Sequence, residues 1–494
     1  MFAFVRPVID WHAFAPEIVV VAVGCALTVF DFTLLERGRK YMPALTGLGF
    51  LATLIPILTL AVDGADRSMF GGAYVVDNFA LILKALFLVS GYIVVLLSTN
   101  YLAEGDYWES EYYLMLTASI TGMMAMSSAR DLVTIFVALE LLSIPAYLMA
   151  TWRKRDLRSN EAGLKYYLMG VFASAIMLYG MSLVFGFANS TLLADINQAV
   201  SASADSAPIV TLGIVFIIVG FAFKVSAVPF HTWAPDTYEG APTPVTSFLA
   251  VASKAAGFVA LMQLVFVGFL GRADVVEPLM WILAAASMTV GNLIALRQTN
   301  IVRMLAYSGI AQAGYIMAPF AVAGSAPSEA LSGVVVYLLI YAVMNLGLFG
   351  VVIAVARKTR SAEIATYGGL FEYAPGLTVL ATVFLFSLAG IPPLGGWFAK
   401  LVVFRAVAAP STTSGIVLGV LVAVNSVIAL FYYAGVAKRM WFDPVYDGDR
   451  TPIRTPPALA AGLALTALAT VAFGVFPGLV SHFTEFSSLV ALGR

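Results

Sequence analysis

Five of the nine lysines, Lys84, Lys165, Lys224, Lys254 and Lys400, stand within long apolar stretches of the sequence, whereas none of the eighteen arginines lies deep in one. A buried amine can titrate near neutrality, while a guanidinium keeps its proton. Snorkelling or ion pairing accounts for any one such lysine. Five of them without an arginine point to groups that load and release protons. An acid joins the set: Glu140 lies in the middle of DLVTIFVALELLSIPAYLM. A charge at the centre of a bilayer costs at least about 2.5–3.5 kcal/mol, so such residues are expected to face a protein interior or a wet cavity. Asp31 and Asp77 lie nearer the ends of their apolar stretches and read as interfacial. Lys84 follows Asp77 by two helical turns, which makes it a candidate for a structural pair as much as for a proton carrier.

The elements that hold these residues must be membrane helices. Hydrophobic residues make up 61% of the chain and charged residues 11%, against roughly 25% charged in soluble domains. The net charge of −1 says nothing about nucleic acid, but with no basic tail or patch that class is set aside, and Cys25 alone cannot form an internal disulfide, a zinc site or an iron–sulfur site. Stretches of roughly 20 apolar residues predict spans at 16–36, 43–63, 74–98, 111–128, 131–150, 161–187, 208–226, 242–270, 276–297, 301–322, 332–356, 375–398, 399–437 and 457–480. Within 375–437, one helix is expected to break near Gly390–Gly396 and continue to about 408, with another starting near 414. Sixteen Lys/Arg follow odd-numbered spans, against six (Arg6, Arg67, Arg130, Arg272, Arg405 and Arg494) on the other side. That bias marks the cytoplasmic side and places both termini outside. The expected fold is an all-α polytopic membrane protein of about fourteen transmembrane helices.

Two segments interrupt this pattern. One carries Pro229, Pro235, Pro242 and Pro244; the other carries Gly390, Pro392, Pro393, Gly395 and Gly396. Proline removes a helix hydrogen bond, and at membrane depth such a break survives only where protein or water satisfies the freed backbone. The breaks lie about 163 residues apart, and Ala146-Tyr147-Leu148-Met149 precedes Gly314-Tyr315-Ile316-Met317 by 168. These offsets predict an N-terminal three-helix segment (1–110), a five-helix repeat (111–270), a second repeat (276–440) and a C-terminal helix with a short tail (455–494). An odd number of helices per repeat inverts the second copy, and paired broken helices in inverted repeats mark a transport site. Lys224 flanks the first break and Lys400 the second.

These residues resemble the antiporter-like membrane subunits of respiratory complex I. The match covers about 75–440 and includes Glu140, Lys224, HTWAPDTYEGAPTPVTSFLAVASKAAGF with Lys254, and AGIPPLGGWFAK with Lys400. SNEAGLKYYLMGVFASAIMLYG, with Lys165, and RMLAYSGIAQAGYIM resemble the N-type branch of that family, as do an end soon after the last span and a lysine in the second break. The resemblance implies a proton-translocating subunit of NADH:quinone oxidoreductase in the bacterial inner membrane. It implies a hetero-oligomer of membrane and hydrophilic subunits, with FMN, iron–sulfur clusters and quinone held by the partners and no cofactor or metal in this chain.

The expected mechanism is a Glu140–Lys224 ion pair that opens when a neighbouring subunit draws Glu140 away. Lys254 relays the released proton, Lys400 passes it to the outer side, and Lys165 tunes Glu140 or the entrance. His231, Tyr238, Ser253, Ser308, Gln312 and Asn345 are placed to hold connecting water or to satisfy neighbouring backbone, and the aromatic and methionine richness reads as packing. His12 and His482 read as interfacial. A subunit of a multi-subunit Mrp-type cation/proton antiporter would use the same residues without a redox partner. A passive assembly scaffold would not need them.

Overall fold

The computed structural model describes residues 8–34, 38–105, 109–202, 208–482 and 489. Arg6, Arg37 and Arg494 of the charge bias lie outside them. The chain is helical almost throughout: α1 (Ala15–Leu34), α2 (Met42–Asp63), α3 (Asn78–Ala103), α4 (Glu109–Ser128), α5 (Leu132–Ala150), α6 (Leu157–Ala188), α7 (Leu193–Ala202), α8 (Pro208–Lys224), α9 (Trp233–Gly240), α10 (Thr243–Phe248), α11 (Lys254–Gln263), α12 (Ala273–Ala295), α13 (Ile301–Met317), α14 (Pro327–Thr359), α15 (Leu370–Tyr373), α16 (Pro375–Ala389), α17 (Gly395–Ala408), α18 (Thr413–Phe442), α19 (Pro457–Val475) and α20 (Gly478–Ser481). Strands β1 (Arg67–Met69) and β2 (Tyr74–Val76) form one antiparallel hairpin, with Arg67 opposite Val76.

Among the described residues, ten helical stretches are long and apolar enough to cross a membrane, and α8 and α16 are shorter apolar helices. The outward faces are as apolar as the core. Val133, Val137, Leu141, Ile144 and Leu148 of α5, and Leu164, Leu168, Val171 and Phe172 of α6, are exposed. A surface of this kind suits lipid or another membrane subunit rather than water. The centre of the molecule is the stretch Thr243–Gly268 and helix α14, which are buried nearly end to end. Helix α7, which no predicted span covers, buries Leu193, Ile196 and Val200 on one stripe beneath a polar face.

Both interruptions are real breaks. Helix α8 stops at Lys224, and helix resumes at α9 after eight intervening residues. The freed groups find partners: Trp233 Nε1 donates to Phe223 O at 3.0 Å, and Val228 N donates to Ser287 Oγ at 2.9 Å. Helix α16 ends at Ala389 and is capped by Gly390, whose φ of 92° suits glycine. Helix α17 then starts at Gly395, folding back so closely that a Cβ on Gly396 would stand 1.8 Å from Ser387 O. The expected break at Gly390–Gly396, the continuation to about 408 and the restart near 414 agree with α16, α17 and α18. Two π-helical turns, Leu249–Ser253 and Leu264–Gly268, flank α11. Such turns widen a helix and recur at functional sites.

Candidate functional site

Lys224 is the last residue of α8, and its ammonium lies within the bundle. It donates to Ser143 Oγ at 2.9 Å and to Tyr166 OH at 3.3 Å. Ser143 lies one turn past Glu140 on α5, and Glu140 accepts from Ser174 Oγ at 2.7 Å. The direct Glu140–Lys224 pair expected from the sequence is not formed. Serines stand between them, because the half-buried Glu140 turns toward α6 at the rim of the exposed apolar face. The cleft lined by Ser143, Ser174 and Lys224 has a volume of about 10 Å³, close to the least that holds a water molecule.

From Lys224 a line of polar groups crosses the molecule. The Tyr166 hydroxyl stands beside Ser253, the residue before Lys254. Lys254 Nζ donates to Gly309 O at 2.7 Å. The preceding residue, Ser308, shares a hydrogen bond with Tyr433 OH, which accepts from Gln312 Nε2 at 3.3 Å. Gln312 Nε2 also reaches Leu388 O at 3.2 Å, and Lys400 Nζ donates to the next carbonyl, Ala389 O, at 2.7 Å. That carbonyl terminates α16, where the helix dipole favours a cation. Lys400 also lies 4.8 Å from the centre of the Tyr315 ring. Asn345 bonds Tyr341 OH at 2.9 Å at one side of this line.

Three placements differ from expectation. Lys165 does not pair with Glu140: its half-exposed ammonium is held by Glu161 and Asp236 at 2.7 and 2.8 Å. Burial would raise the Asp236 carboxyl, but hydrogen bonds from Lys165 and Arg303 outweigh it and hold that group below the usual carboxylate range. Lys84 does not pair with Asp77. Its partner is Glu17 at 2.9 Å, while Asp77 caps α3 and pairs with Arg130. The tyrosines are more than packing, since Tyr166, Tyr315, Tyr337, Tyr341 and Tyr433 lend hydroxyls or rings to the polar line. Sequence reading missed them because tyrosine is also ordinary core material. Ser143 carries a signal of its own, being a hydroxyl one turn from a carboxyl within an apolar helix.

His231 sits half-buried in the first break, with its Nδ1 unpartnered and its ring 6.5 Å from that of Tyr307. It does not join the line. Tyr238 does have a distinct place. A vestibule of about 680 Å³ opens between the ends of α3 and α14 and the starts of α10, α13 and α19. Charged groups including Glu104, Arg153, Glu239, Arg357 and Glu363 line it, and the buried Tyr238, whose hydroxyl has no hydrogen-bond partner, forms part of its wall.

The family model "NADH:quinone oxidoreductase/Mrp antiporter, TM" matches residues 129–427. NADH-quinone oxidoreductase subunit N of Trichlorobacter lovleyi is 37% identical over 480 residues, covering 97% of this chain and 96% of that protein. A chain of respiratory complex I from Thermus thermophilus with bound aureothin superposes with a TM-score of 0.77 at 31% identity, covering 94% of this chain and 98% of that one. A chain of the Mrp complex from Dietzia sp. superposes with a TM-score of 0.84 over 98% of this chain and 100% of that one. At 19% identity, that likeness shows a shared fold alone. A model match over more than half of the sequence and a relative this similar along almost its whole length place the chain in the family of antiporter-like membrane subunits of NADH:quinone oxidoreductase, in its subunit N branch.

Proposed function

We propose that this chain is a proton-translocating membrane subunit of respiratory complex I in the bacterial inner membrane, assembled with further membrane and hydrophilic subunits. FMN, iron–sulfur clusters and quinone chemistry belong to those partners. The observation that carries the reading is the line of buried groups from Lys224 through Tyr166, Ser253, Lys254, Ser308, Tyr433 and Gln312 to Lys400. It joins two helix breaks across the interior, where a structural core would normally be apolar.

Protons enter at the vestibule, which is the cytoplasmic end. Its lining residues come only from helix ends that a fourteen-crossing chain puts on one side, and Arg153, Arg158, Arg357 and Arg360 there belong to the positive bias. Both termini are then periplasmic. The break at 225–232 and the break at 390–394 correspond under the inverted pairing of repeats 111–270 and 276–440, with 1–110 and 455–494 as flanking segments. Tyr238 passes protons inward to the Tyr166–Lys224 pair. Glu140 lies across the serines from Lys224, and an opposite charge nearby favours the charged form of an amine. Movement of Glu140 toward a neighbouring subunit withdraws that support, and the proton passes to Lys254 and on to Lys400. Lys165, fixed by Asp236, holds α6 against α9 near the entrance.

Purification of the native assembly in mild detergent tests the reading. Flavoprotein and iron–sulfur subunits should accompany this chain, and its deletion should abolish NADH-driven proton uptake. Recovery with antiporter subunits only would assign it to a redox-free cation/proton exchanger.

A further inference from the structure

A second group of buried charges lies in the N-terminal helices, remote from the line of lysines. Lys84 is fully buried six residues into α3, roughly 9 Å from its start by helix rise. Its ammonium meets Glu17 of α1 at 2.9 Å and Tyr74 OH of β2 at 3.3 Å. The Tyr74 hydroxyl also stands beside Glu17 and Ser128. A structural ion pair of this burial would fill the remaining lone pairs of its carboxylate with donors. Glu17 instead has only the neighbouring Tyr74 hydroxyl besides Lys84, and neither of its oxygens makes a hydrogen bond of regular geometry.

The surroundings are polar on two sides. Toward the surface, Asp77 pairs with Arg130 at 2.8 Å, and the exposed Asp66 interacts with both. Partial burial first, and Asp77 second, raise the Asp66 carboxyl above its ordinary range. Arg67 is engaged by Asp10 and Asp63 and does not reach inward. Toward the interior, Arg130 Nη1 binds Ser127 O, and Gln263 Nε2 binds the carbonyls of Met126 and Ser127 at 2.7 and 2.9 Å. Gln263 ends α11, the helix that Lys254 begins. Gln263 Oε1 and Arg130 Nε are buried without a hydrogen-bond partner. Buried polar atoms left open around one spot are the normal sign of ordered water.

We propose that Glu17 and Lys84 form a proton-release site on the outer side, fed from Lys254 along α11 past Gln263 and emptied to the surface through Asp66. A proton arriving at a neutral Lys84 gives the ammonium. It then passes from Nζ to the Glu17 carboxylate, leaving amine and carboxylic acid, and from the acid by water to Asp66 and bulk, which restores the carboxylate. This site extends the relay proposed above and rests on it.

The test measures protons translocated per NADH oxidised by the intact complex in sealed vesicles, comparing Lys84→Arg with Lys224→Arg. Lys84→Arg keeps the ion pair and loses the proton release, so the ratio should fall while electron transfer and complex yield hold. Glu17→Gln should lower it too, and Asp66→Asn should slow release in a way that added permeant weak-acid buffer partly restores. A normal ratio in Lys84→Arg with a lowered one in Lys224→Arg overturns the outer site alone. Normal ratios in both overturn the relay itself. Should Lys84→Arg reduce complex yield, the Glu17→Leu/Lys84→Met pair, which removes both charges, replaces it. In that variant a lowered ratio supports the site and a normal one refutes it.

Discussion

The hydroxyl of Tyr433 joins Ser308 to Gln312 where the line crosses α18. Tyr433→Phe keeps the ring and removes the junction. The loss of one buried hydrogen-bonding hydroxyl costs about 1 kcal/mol of stability, so the complex should assemble normally while its proton-to-electron ratio drops. Asp236 gives a contrasting case. Its carboxyl is held low by Lys165 and Arg303, so its stabilising contribution is present above the ordinary carboxylate pKa and disappears as pH falls through the lowered value. Because the cluster is partly exposed, Asp236→Asn should cost under about 1 kcal/mol at neutral pH. Thermal denaturation of the solubilised complex should show that difference shrinking in acid. At this scale the lysines were legible because an amine in an apolar run has few ordinary explanations. Glu17, two residues into α1, lies at the start of the first predicted span with nothing in sequence to pair it, and only the fold brings it to Lys84.

The breaks are the elements on which the site depends. Gly396 packs directly on Ser387 O, and no rotamer change relieves a backbone clash. Gly396→Ala should therefore lower the yield of assembled complex sharply. Gly376→Ala, near the start of the same broken helix with nothing within 4 Å, should leave yield unchanged in blue native gels. Proline and glycine announce such breaks in sequence because their backbone chemistry is local. The first π-helical turn, Leu249–Ser253, carries no proline or glycine; it packs against α14. Helix α7 escaped notice because it lies between spans and is too polar to resemble one.

At the scale of the whole molecule, the line of buried groups runs across the bundle from break to break, and the vestibule opens at one end of it. Hydropathy announced an all-helical membrane architecture in advance, since it follows from solvent and not from contacts. The serine-separated geometry of Glu140 and Lys224 was not legible, since it depends on which way a half-buried side chain turns. The account's central claim is that Lys224 must give up its proton for the complex to pump. The most direct test is the ratio of protons translocated to NADH oxidised in sealed membranes carrying Lys224→Arg. Arginine keeps the positive charge and holds its proton, so the ratio should fall nearly as far as in Lys224→Ala, with Glu140→Asp milder than Glu140→Gln. A normal ratio in Lys224→Arg would contradict the claim.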